Sequence, residues 1–345
     1  MAALPRNVKI RHSKLRHAKI RLGIVGAGKH GSRYAAHAAR DIDGLELVAV
    51  CRRDQSKGSA LAEELGCDYE ADVEKLLARS DIDAVVLCTI PRLLPRFVEM
   101  AIAGGKRLII EKPVARTLDE GLATLRLIEA SGVYCLTGHT LRMNTAMEAL
   151  RRELPSLGRL DSISFSQRFP AQLQLEWLDT PEESGGGSIL HTGVHCFDLI
   201  FWLTGCSVTT AAAIARSVYT RRTEDHFASV LTTSQEGLLA QVACSRSTHS
   251  RNGLVEATGE HGQLIVDHVQ GTGYRLGPKG REDWALDAPR MTVKALLERF
   301  VDEVQRDAEP SIPYREALAA VAVADACYRS IETGAFEAVR ALPPR

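Results

Sequence analysis

"KIRLGIVGAGKHG", residues 19–31, runs from an apolar, β-branched segment straight into three glycines with the spacing GxGxxG. Glycines in this arrangement permit a tight turn and let the backbone approach a phosphate. The helix that follows offers backbone N–H groups and the positive end of its dipole to an anion. The stretch therefore predicts a dinucleotide site formed by Gly26, Ala27, Gly28, Lys29, His30 and Gly31. The alternative is a tight strand–helix turn that binds nothing.

The pattern around this turn predicts a parallel sheet. Between residues 18 and 140, short β-branched runs such as "LELVAVC", "DAVVLCTI", "RLIIEK" and "VYCLTGHT" alternate with segments of helical period. Strands alternating with helices of this length are typical of a doubly wound α/β fold. We therefore predict a Rossmann domain over residues 18–140.

The pattern of predicted strands and helices changes after residue 140. Strand-like runs follow one another with few helices between them, at 159–170, 207–218, 224–235, 238–248 and 253–267. Such a succession favours an antiparallel or mixed sheet. Two helical segments end the chain. We predict an α+β domain over residues 141–345, with a large, open, mostly antiparallel sheet.

Composition limits the classes of function. The chain has 345 residues with 43 Lys+Arg and 43 Asp+Glu, a balance that argues against a general nucleic-acid binder. No apolar run approaches the roughly 18 residues of a membrane span, and no secretory signal is recognisable. Eight cysteines without a CxxC pair indicate reduced thiols in a cytoplasmic protein. Residues 1–17 belong to a basic segment that we interpret as a solvated tail.

The end of the second strand indicates which coenzyme is bound. About 20 residues past the last glycine, where an NAD-binding domain usually has an acidic residue, the chain has Arg52 and Arg53. Guanidinium groups pair with a 2′-phosphate, so the sequence favours NADP(H), with NAD still possible. The alternative is a solvated arginine pair. Asp54 is predicted to cap the next helix.

"RLIIEKPVA" places Glu111, Lys112 and Pro113 at the end of another strand. Ligands of open α/β sheets lie beyond the carboxyl ends of the strands. Lys112 is therefore predicted to lie at the nicotinamide end of the coenzyme. A surface lysine at a strand end is the alternative.

A second motif lies in the C-terminal half, in "GGGSILHTGVHCFDL", residues 185–199. Helical spacing would place His191, His195 and Asp198 on one face. Three interpretations are open: a metal site, two inert core histidines or a catalytic centre. No HExxH is present. Gly193 inside a helix suggests close approach by a ligand or backbone. We favour His195 as an acid/base, since imidazole titrates near neutral pH, and predict no metal site.

Taken together, GxGxxG, "DAVVLCTIP", "EKPVA", "GHTLRMN" and the glycine–histidine motif resemble the Gfo/Idh/MocA oxidoreductases. The resemblance implies a Rossmann domain, a C-terminal open-sheet domain, and homodimers or homotetramers formed through that sheet. It implies sugars, polyols or related hydroxy and keto compounds as substrates, with Lys112 and His195 catalytic. The coenzyme-binding set then extends to Thr89, Pro91, Glu111 and Lys112.

The chain departs from this family pattern at two places. Many relatives have a histidine in the loop that here reads "TIPRLL", and relatives usually have aspartate where this chain has His191. We assign His191 to catalysis or substrate contact. Further substrate contacts are expected from Arg142, Asn144, Trp177 and Asp198. The alternatives are structural hydrogen bonding for Arg142 and Asn144, core packing for Trp177 and a helix-surface carboxylate for Asp198.

Two other functions compete with a redox enzyme acting on CH–OH groups. One is a glycosidase that uses NAD for transient oxidation, against which Arg52 and Arg53 count. The other is a decayed, coenzyme-sensing protein; the missing aspartate favours it, and the retained Lys112 and His195 oppose it.

Overall fold

The computed structural model describes residues 18–170 and 176–344, which form two compact units. The first contains the described residues up to Val114 together with Asp119–Gly138 and Val293–Tyr314, and the second contains Ala115–Leu118, His139–Thr292 and the chain from Arg315 onward. The predicted basic tail, residues 1–17, lies outside the described residues. No helix in the described ranges is long and apolar enough to cross a membrane.

Up to residue 138, strands and helices alternate. The strands are β1 (Ile20–Val25), β2 (Leu45–Cys51), β3 (Asp68–Glu70), β4 (Ala84–Leu87), β5 (Arg107–Ile110) and β6 (Cys135–Thr137). The helices are α1 (Gly31–Arg40), α2 (Gln55–Leu65), α3 (Val73–Ala78), α4 (Leu94–Ala103) and α5 (Leu118–Ser131), with a 3-10 turn at Pro91–Leu93.

These strands form one parallel sheet of six, in the order β3-β2-β1-β4-β5-β6. All residues of β4 and β5 are buried, as expected for a parallel sheet covered on both faces. The predicted Rossmann architecture is confirmed. Strand β3 and helix α3 were not predicted, because three residues reading "DYE" and a six-residue helix are too short to show a hydrophobic period.

From residue 139 the chain is richer in strands. They are β7 (Leu160–Pro170), β8 (Val208–Arg216), β9 (His226–Thr233), β10 (Leu239–Thr248), β11 (Asn252–Gly259), β12 (Gly262–Asp267), β13 (Thr272–Gly277) and β14 (Gly280–Asp283). The helices are α6 (Thr145–Glu153), α7 (Pro181–Ser184) and α8 (Val194–Thr204), with a π-helical turn at Ile189–Gly193 and 3-10 turns at Thr140–Met143, Leu154–Leu157 and Glu176–Asp179. After them come α9 (Thr292–Gln305), α10 (Tyr314–Thr333) and β15 (Glu337–Ala338).

The second sheet has nine strands in the order β14-β13-β12-β11-β7-β10-β9-β8-β15. Its neighbours are antiparallel except β7 and β10, so the predicted open, mostly antiparallel sheet is confirmed. The single strand expected over 253–267 is instead the hairpin β11–β12, in which Gly259 pairs with Gly262 across a two-residue turn. Such a turn reverses the chain within a run that looks continuous.

Helix α9 lies in the first unit, which differs from the domain boundary expected at residue 141. The hydroxyl of Tyr134 donates to Glu303 Oε2 at 2.6 Å, and Thr137 N–H donates to the carbonyl of Ile312 at 3.0 Å. A contact between segments about 170 residues apart leaves no local pattern in the sequence.

Candidate active site

The glycine turn between β1 and α1 has the geometry that its sequence requires. Gly26 has φ +87°, and a Cβ there would lie 2.2 Å from the carbonyl oxygen of Cys88 at the end of β4. Only glycine fits this position without strain. At Gly28, by contrast, a Cβ would meet nothing within 4 Å. The backbone at Gly28 therefore faces open space that a ligand can approach.

The N-terminus of α1 has features that favour the binding of an anion. No side chain caps it, and no acidic residue lies in its first turn. Within this turn the N–H groups of Ser32 and Arg33 donate to the carbonyls of Gly28 and His30 at 2.8 and 3.0 Å. The positive end of the helix dipole favours a phosphate at this position. Together with the open space at Gly28, this arrangement fits the pyrophosphate of a dinucleotide.

The end of β2 lies beside the same turn. The Arg52 guanidinium donates to the carbonyl of Ala27 at 3.3 Å, whereas Arg53 is exposed. Asp54 accepts the N–H of Lys57 at 3.1 Å and caps α2, which confirms its predicted role. The acidic side chain is therefore used within its own helix, and the Arg52 guanidinium lies against the turn.

Thr89 and Pro91 follow β4 at the same edge of the first sheet. A Cβ on Gly26 would lie 3.3 Å from the backbone nitrogen of Thr89, which places Thr89 at the glycine turn. Thr89 is half-buried, while Pro91 is buried at the start of its 3-10 turn. Of the two predicted contacts, Thr89 has the more accessible side chain.

Glu111 accepts hydrogen bonds from several groups at this edge of the first sheet. Its Oε1 accepts from the Tyr34 hydroxyl at 2.5 Å and lies 3.0 Å from His30 Nε2, and its Oε2 accepts the backbone N–H of Lys112 at 3.0 Å. Burial by itself would raise the pKa of Glu111, but the hydrogen bond from His30 and the charge of Lys112 outweigh it and lower the pKa. Glu111 is therefore an anion that joins the glycine turn to the backbone of Lys112.

Lys112 lies directly beyond the carboxyl end of β5, as predicted, and is half-buried. Burial lowers the pKa of its ammonium group, and the neighbouring Glu111 carboxylate opposes that change. A desolvated ammonium beside the coenzyme turn is a suitable hydrogen-bond donor to a developing negative charge.

In the second unit, the segment that carries the two histidines is not a uniform α-helix. Residues Ile189–Gly193 form a π-helical turn, and the α-helix α8 begins only at Val194. A π turn closes i→i+5 hydrogen bonds, so it changes the angular spacing between His191 and His195. The segment is therefore not the uniform α-helix that the predicted spacing assumed, and the relation between the two side chains stays a prediction.

The two histidine rings have different aromatic neighbours. His191 lies edge-on to Trp177 at 5.4 Å between ring centroids, and its Nε2 is 3.1 Å from the carbonyl oxygen of Ser184. His195 lies edge-on to His139 at 5.9 Å. His139 is buried and was not singled out from the sequence, although it lies in the motif "GHTLRMN" that marked the family resemblance.

Glu224 holds the start of the π turn, and no sequence pattern indicated it. Its carboxylate accepts the N–H groups of Gly187 and Ile189 at 2.8–3.1 Å and the Tyr328 hydroxyl at 2.9 Å. Burial raises its pKa, against the lowering effect of these hydrogen bonds. A side chain from a distant loop thus replaces the local cap that a helix normally takes from its own sequence.

The predicted contacts Arg142, Asn144 and Asp198 have structural partners. Asp198 is bound by Arg142 through both oxygens, at 2.8 and 2.5 Å, and Arg142 also reaches Glu316 at 2.7 Å. Arg142 and Asp198 are both buried. Asn144 caps α6 by accepting the N–H groups of Ala146 and Met147. Arg142 and Asn144 therefore have structural hydrogen bonds, as their alternative stated, whereas Asp198 is a buried ion-pair partner and not a helix-surface carboxylate.

Gly193 is explained by packing. A Cβ on it would lie 2.7 Å from Cζ of Phe227, so an aromatic ring of the sheet, and not a ligand, occupies the space that glycine leaves.

Trp177 is half-buried and so is not a core residue. Within residues 18–170 and 176–344, no cluster of three or more His, Cys, Asp or Glu side chains has the geometry to hold a metal ion.

A dinucleotide turn on a parallel sheet, followed by a lysine at the same edge and a second unit with a large mixed sheet, defines an NAD-binding oxidoreductase. Residues 20–139 match the family model described as the oxidoreductase family with an NAD-binding Rossmann fold. Residues 156–265 match that of the GFO/IDH/MocA C-terminal domain. The chain therefore belongs to the Gfo/Idh/MocA oxidoreductase family, which confirms the resemblance.

Individual relatives are similar over nearly the whole chain. Inositol 2-dehydrogenase of Rhizobium meliloti is 25% identical, and the match covers 90% of this chain and 96% of the relative. The 1,5-anhydro-D-fructose reductase of Ensifer adhaerens is 28% identical with the same coverage. Among solved structures, an oxidoreductase from Agrobacterium radiobacter in complex with NAD+, L-tartaric acid and magnesium has a TM-score of 0.83 at 22% identity, covering 93% of this chain and 99% of that one.

Proposed function

We propose that this oxidoreductase transfers a hydride between a nicotinamide coenzyme and a CH–OH or C=O carbon of a sugar, a polyol or a related compound. The observation that carries the proposal is the Glu111 carboxylate, which holds the backbone of Lys112 and the side chain of His30 around one anion. It joins the dinucleotide turn to the backbone of the lysine whose amine would act on the substrate oxygen. When bound, the coenzyme would supply the hydride acceptor or donor.

The remaining chemistry belongs to side chains of the protein. We assign to Lys112 a hydrogen bond to the substrate oxygen, which stabilises negative charge that develops there. We assign to His195 the transfer of the hydroxyl proton: it accepts the proton in oxidation and returns it in reduction. His191 and Trp177, in ring contact at 5.4 Å, are proposed substrate contacts.

The substrate class follows from the names of the relatives. They are a dehydrogenase of inositol and a reductase of 1,5-anhydro-D-fructose, which are cyclic polyhydroxy compounds. Both names denote redox enzymes, which supports the redox function over the glycosidase alternative. A screen of aldoses, ketoses, inositols and small ketones with NADPH and NADP, followed at the nicotinamide absorbance, tests the proposal. Turnover of none of these compounds would contradict it.

The two arginines after β2 bear on the coenzyme preference. Arg52 lies against Ala27 and Arg53, the next residue, is exposed, so a 2′-phosphate can pair with one or both guanidinium groups. We expect NADPH to bind at least tenfold more tightly than NADH, because a charge-assisted hydrogen bond contributes about 1.5–3 kcal/mol. The double variant Arg52→Ala/Arg53→Ala should remove this preference. Titration of both coenzymes against protein fluorescence measures it.

The matched control is Arg40→Ala, which removes an exposed arginine at the far end of α1, where it pairs with Glu64. This variant should keep the wild-type ratio of affinities. Equal binding of the two coenzymes by the wild type, or tighter binding of NADH, would contradict NADP specificity.

We also propose that the open face of the second sheet joins copies of this chain into a homodimer or homotetramer. Residues Ala212, Val230 and Gln241 lie side by side across β8, β9 and β10 on this face. Ile214 is 75% exposed and Val230 is 42% exposed, and they line a groove of about 610 Å³. Apolar residues on the outward face of a sheet are typical of an interface.

A charge on this face should separate the copies. Val230→Glu is expected to lower the molar mass in light scattering to that of one chain, 37.7 kDa, since an unpaired carboxylate is costly to bury. Met291→Glu, at a 66% exposed position outside the groove, should leave the mass of the wild type unchanged. A wild type that is already monomeric would contradict the assembly.

We place this reaction in a reducing, cytoplasmic compartment. All eight cysteines are free, and six of them are buried. Buried thiols of this kind are usual in proteins of such a compartment.

A further inference from the structure

His30 occupies the turn between Gly28 and Gly31, and its ring reaches back to the loop that carries Lys112. Its Nε2 lies 3.0 Å from Glu111 Oε1, and the side chain is 42% exposed. The ring also lies edge-on to Tyr34 at 5.7 Å. His30 is therefore held from one side by buried groups and is open to solvent on the other.

Glu111 decides which nitrogen of His30 carries the proton. Both oxygens of the carboxylate already accept hydrogen bonds, Oε1 from the Tyr34 hydroxyl and Oε2 from the Lys112 backbone N–H, and an ionised carboxylate can only accept. Nε2 of His30 must then donate, and in the neutral ring Nδ1 is left as an acceptor. Protonation of the ring converts Nδ1 from an acceptor into a donor without disturbing the bond to Glu111.

We propose that His30 is a coenzyme-binding residue that donates from Nδ1 to the diphosphate in its imidazolium form, with Glu111 as the positioning residue that reserves Nδ1 for this contact. The inference rests on the coenzyme site of the proposed function. A neutral His30 would present a lone pair to a phosphate oxygen, which is repulsive. The imidazolium would present a charged donor, which is the stronger kind of hydrogen bond to phosphate.

The coenzyme should therefore bind more tightly at acidic than at alkaline pH, since the neutral ring lacks the donor at Nδ1. Of the titratable groups around His30, Glu111 and Tyr34 contact its ring, and Cys88 and Lys112 lie near Glu111. Burial raises the pKa of both Tyr34 and Cys88, so these two stay neutral. Burial lowers the pKa of Lys112 against the pull of Glu111, so any loss of its charge would also weaken binding at high pH.

The contribution of Lys112 is separated from that of His30 by a variant. His30→Gln keeps an amide donor toward Glu111 but does not titrate, while Lys112 and the exposed Lys29 and Arg33 on the same turn remain in place. Any pH dependence that survives in this variant belongs to groups other than His30.

The experiment measures the Kd of NADH by fluorescence at about pH 6 and about pH 8.5, at constant ionic strength. NADH is the probe because it lacks the 2′-phosphate, whose own second ionisation near pH 6 would interfere. The wild type should bind about fivefold more weakly at the higher pH, the size of effect expected for a charge-assisted contact at a half-exposed group. His30→Gln should be flat within about twofold and should match the high-pH wild type at both pH values.

The control is His37→Gln, on the same helix seven residues on, where the histidine also has a carboxylate partner, Asp41, at 2.5 Å. This variant should keep the wild-type pH dependence. A wild-type Kd that does not change with pH, or a full pH dependence in His30→Gln, would overturn the role of His30 while leaving the coenzyme site intact. Absence of NADH and NADPH binding at both pH values would overturn the proposed function and this inference together.

Discussion

Lys112→Met is expected to reduce turnover by about a hundredfold or more and to leave the affinity for coenzyme nearly unchanged. Methionine keeps the length of the side chain and removes the charged donor that stabilises negative charge on the substrate oxygen. Removal of one such donor costs about 10² to 10³ in kcat in other enzymes. The measurements are kcat on the substrate found by the screen and the Kd of NADPH by fluorescence.

Lys106 offers a matched control at the opposite end of β5. Its ammonium group donates to the carbonyl oxygens of Arg79 and Ile82, and the side chain is buried. Lys106→Met should lower the Tm, because buried carbonyls left without a donor cost about 1–3 kcal/mol each. Its kcat should stay close to that of the wild type. Lys112→Met should instead keep a Tm close to that of the wild type and lose most of its kcat. Full turnover in Lys112→Met would remove this lysine from the mechanism.

His195→Asn is expected to reduce kcat by about 10² to 10⁴, the range that positioned general acid–base catalysis usually contributes. Asparagine is polar and close to the shape of an imidazole but cannot exchange a proton near neutral pH. The pH dependence of kcat/KM should also lose the limb that belongs to the catalytic acid/base. NADPH binding should be unaffected, since the dinucleotide turn lies in the other unit.

His261 is the control for this substitution. It is an exposed histidine in the β11–β12 turn, so His261→Asn should keep both the wild-type rate and the wild-type pH profile. If His195→Asn kept the same profile with only a modest loss of rate, the proton would be transferred by another group, and the buried His139, in ring contact with His195, would be the next to test.

The sequence by itself determined the order of the elements and the residues at the ends of the strands. The run from Ile20 to Gly31 predicted a strand, a turn and a helix, because β-branching, glycine spacing and helical period are all local properties. The same reasoning placed Arg52 and Lys112 directly beyond β2 and β5. It missed β3 and the two-residue turn of β11–β12, where the pattern is too short or looks continuous.

The tertiary structure decided how the predicted residues are held. Glu224 accepts hydrogen bonds from the backbone of Gly187 and Ile189, which lie 35 or more residues away in the sequence. Arg142 binds the carboxylate of Asp198, 56 residues away. Contacts over such separations depend on the completed packing of strands and helices, so no local spacing encodes them. The π turn at Ile189–Gly193, which contains His191, also has long-range contacts. A local pattern predicts a helix there, but the anchor at its start and the Phe227 ring against Gly193 are contacts that form only when the sheet has assembled beside it.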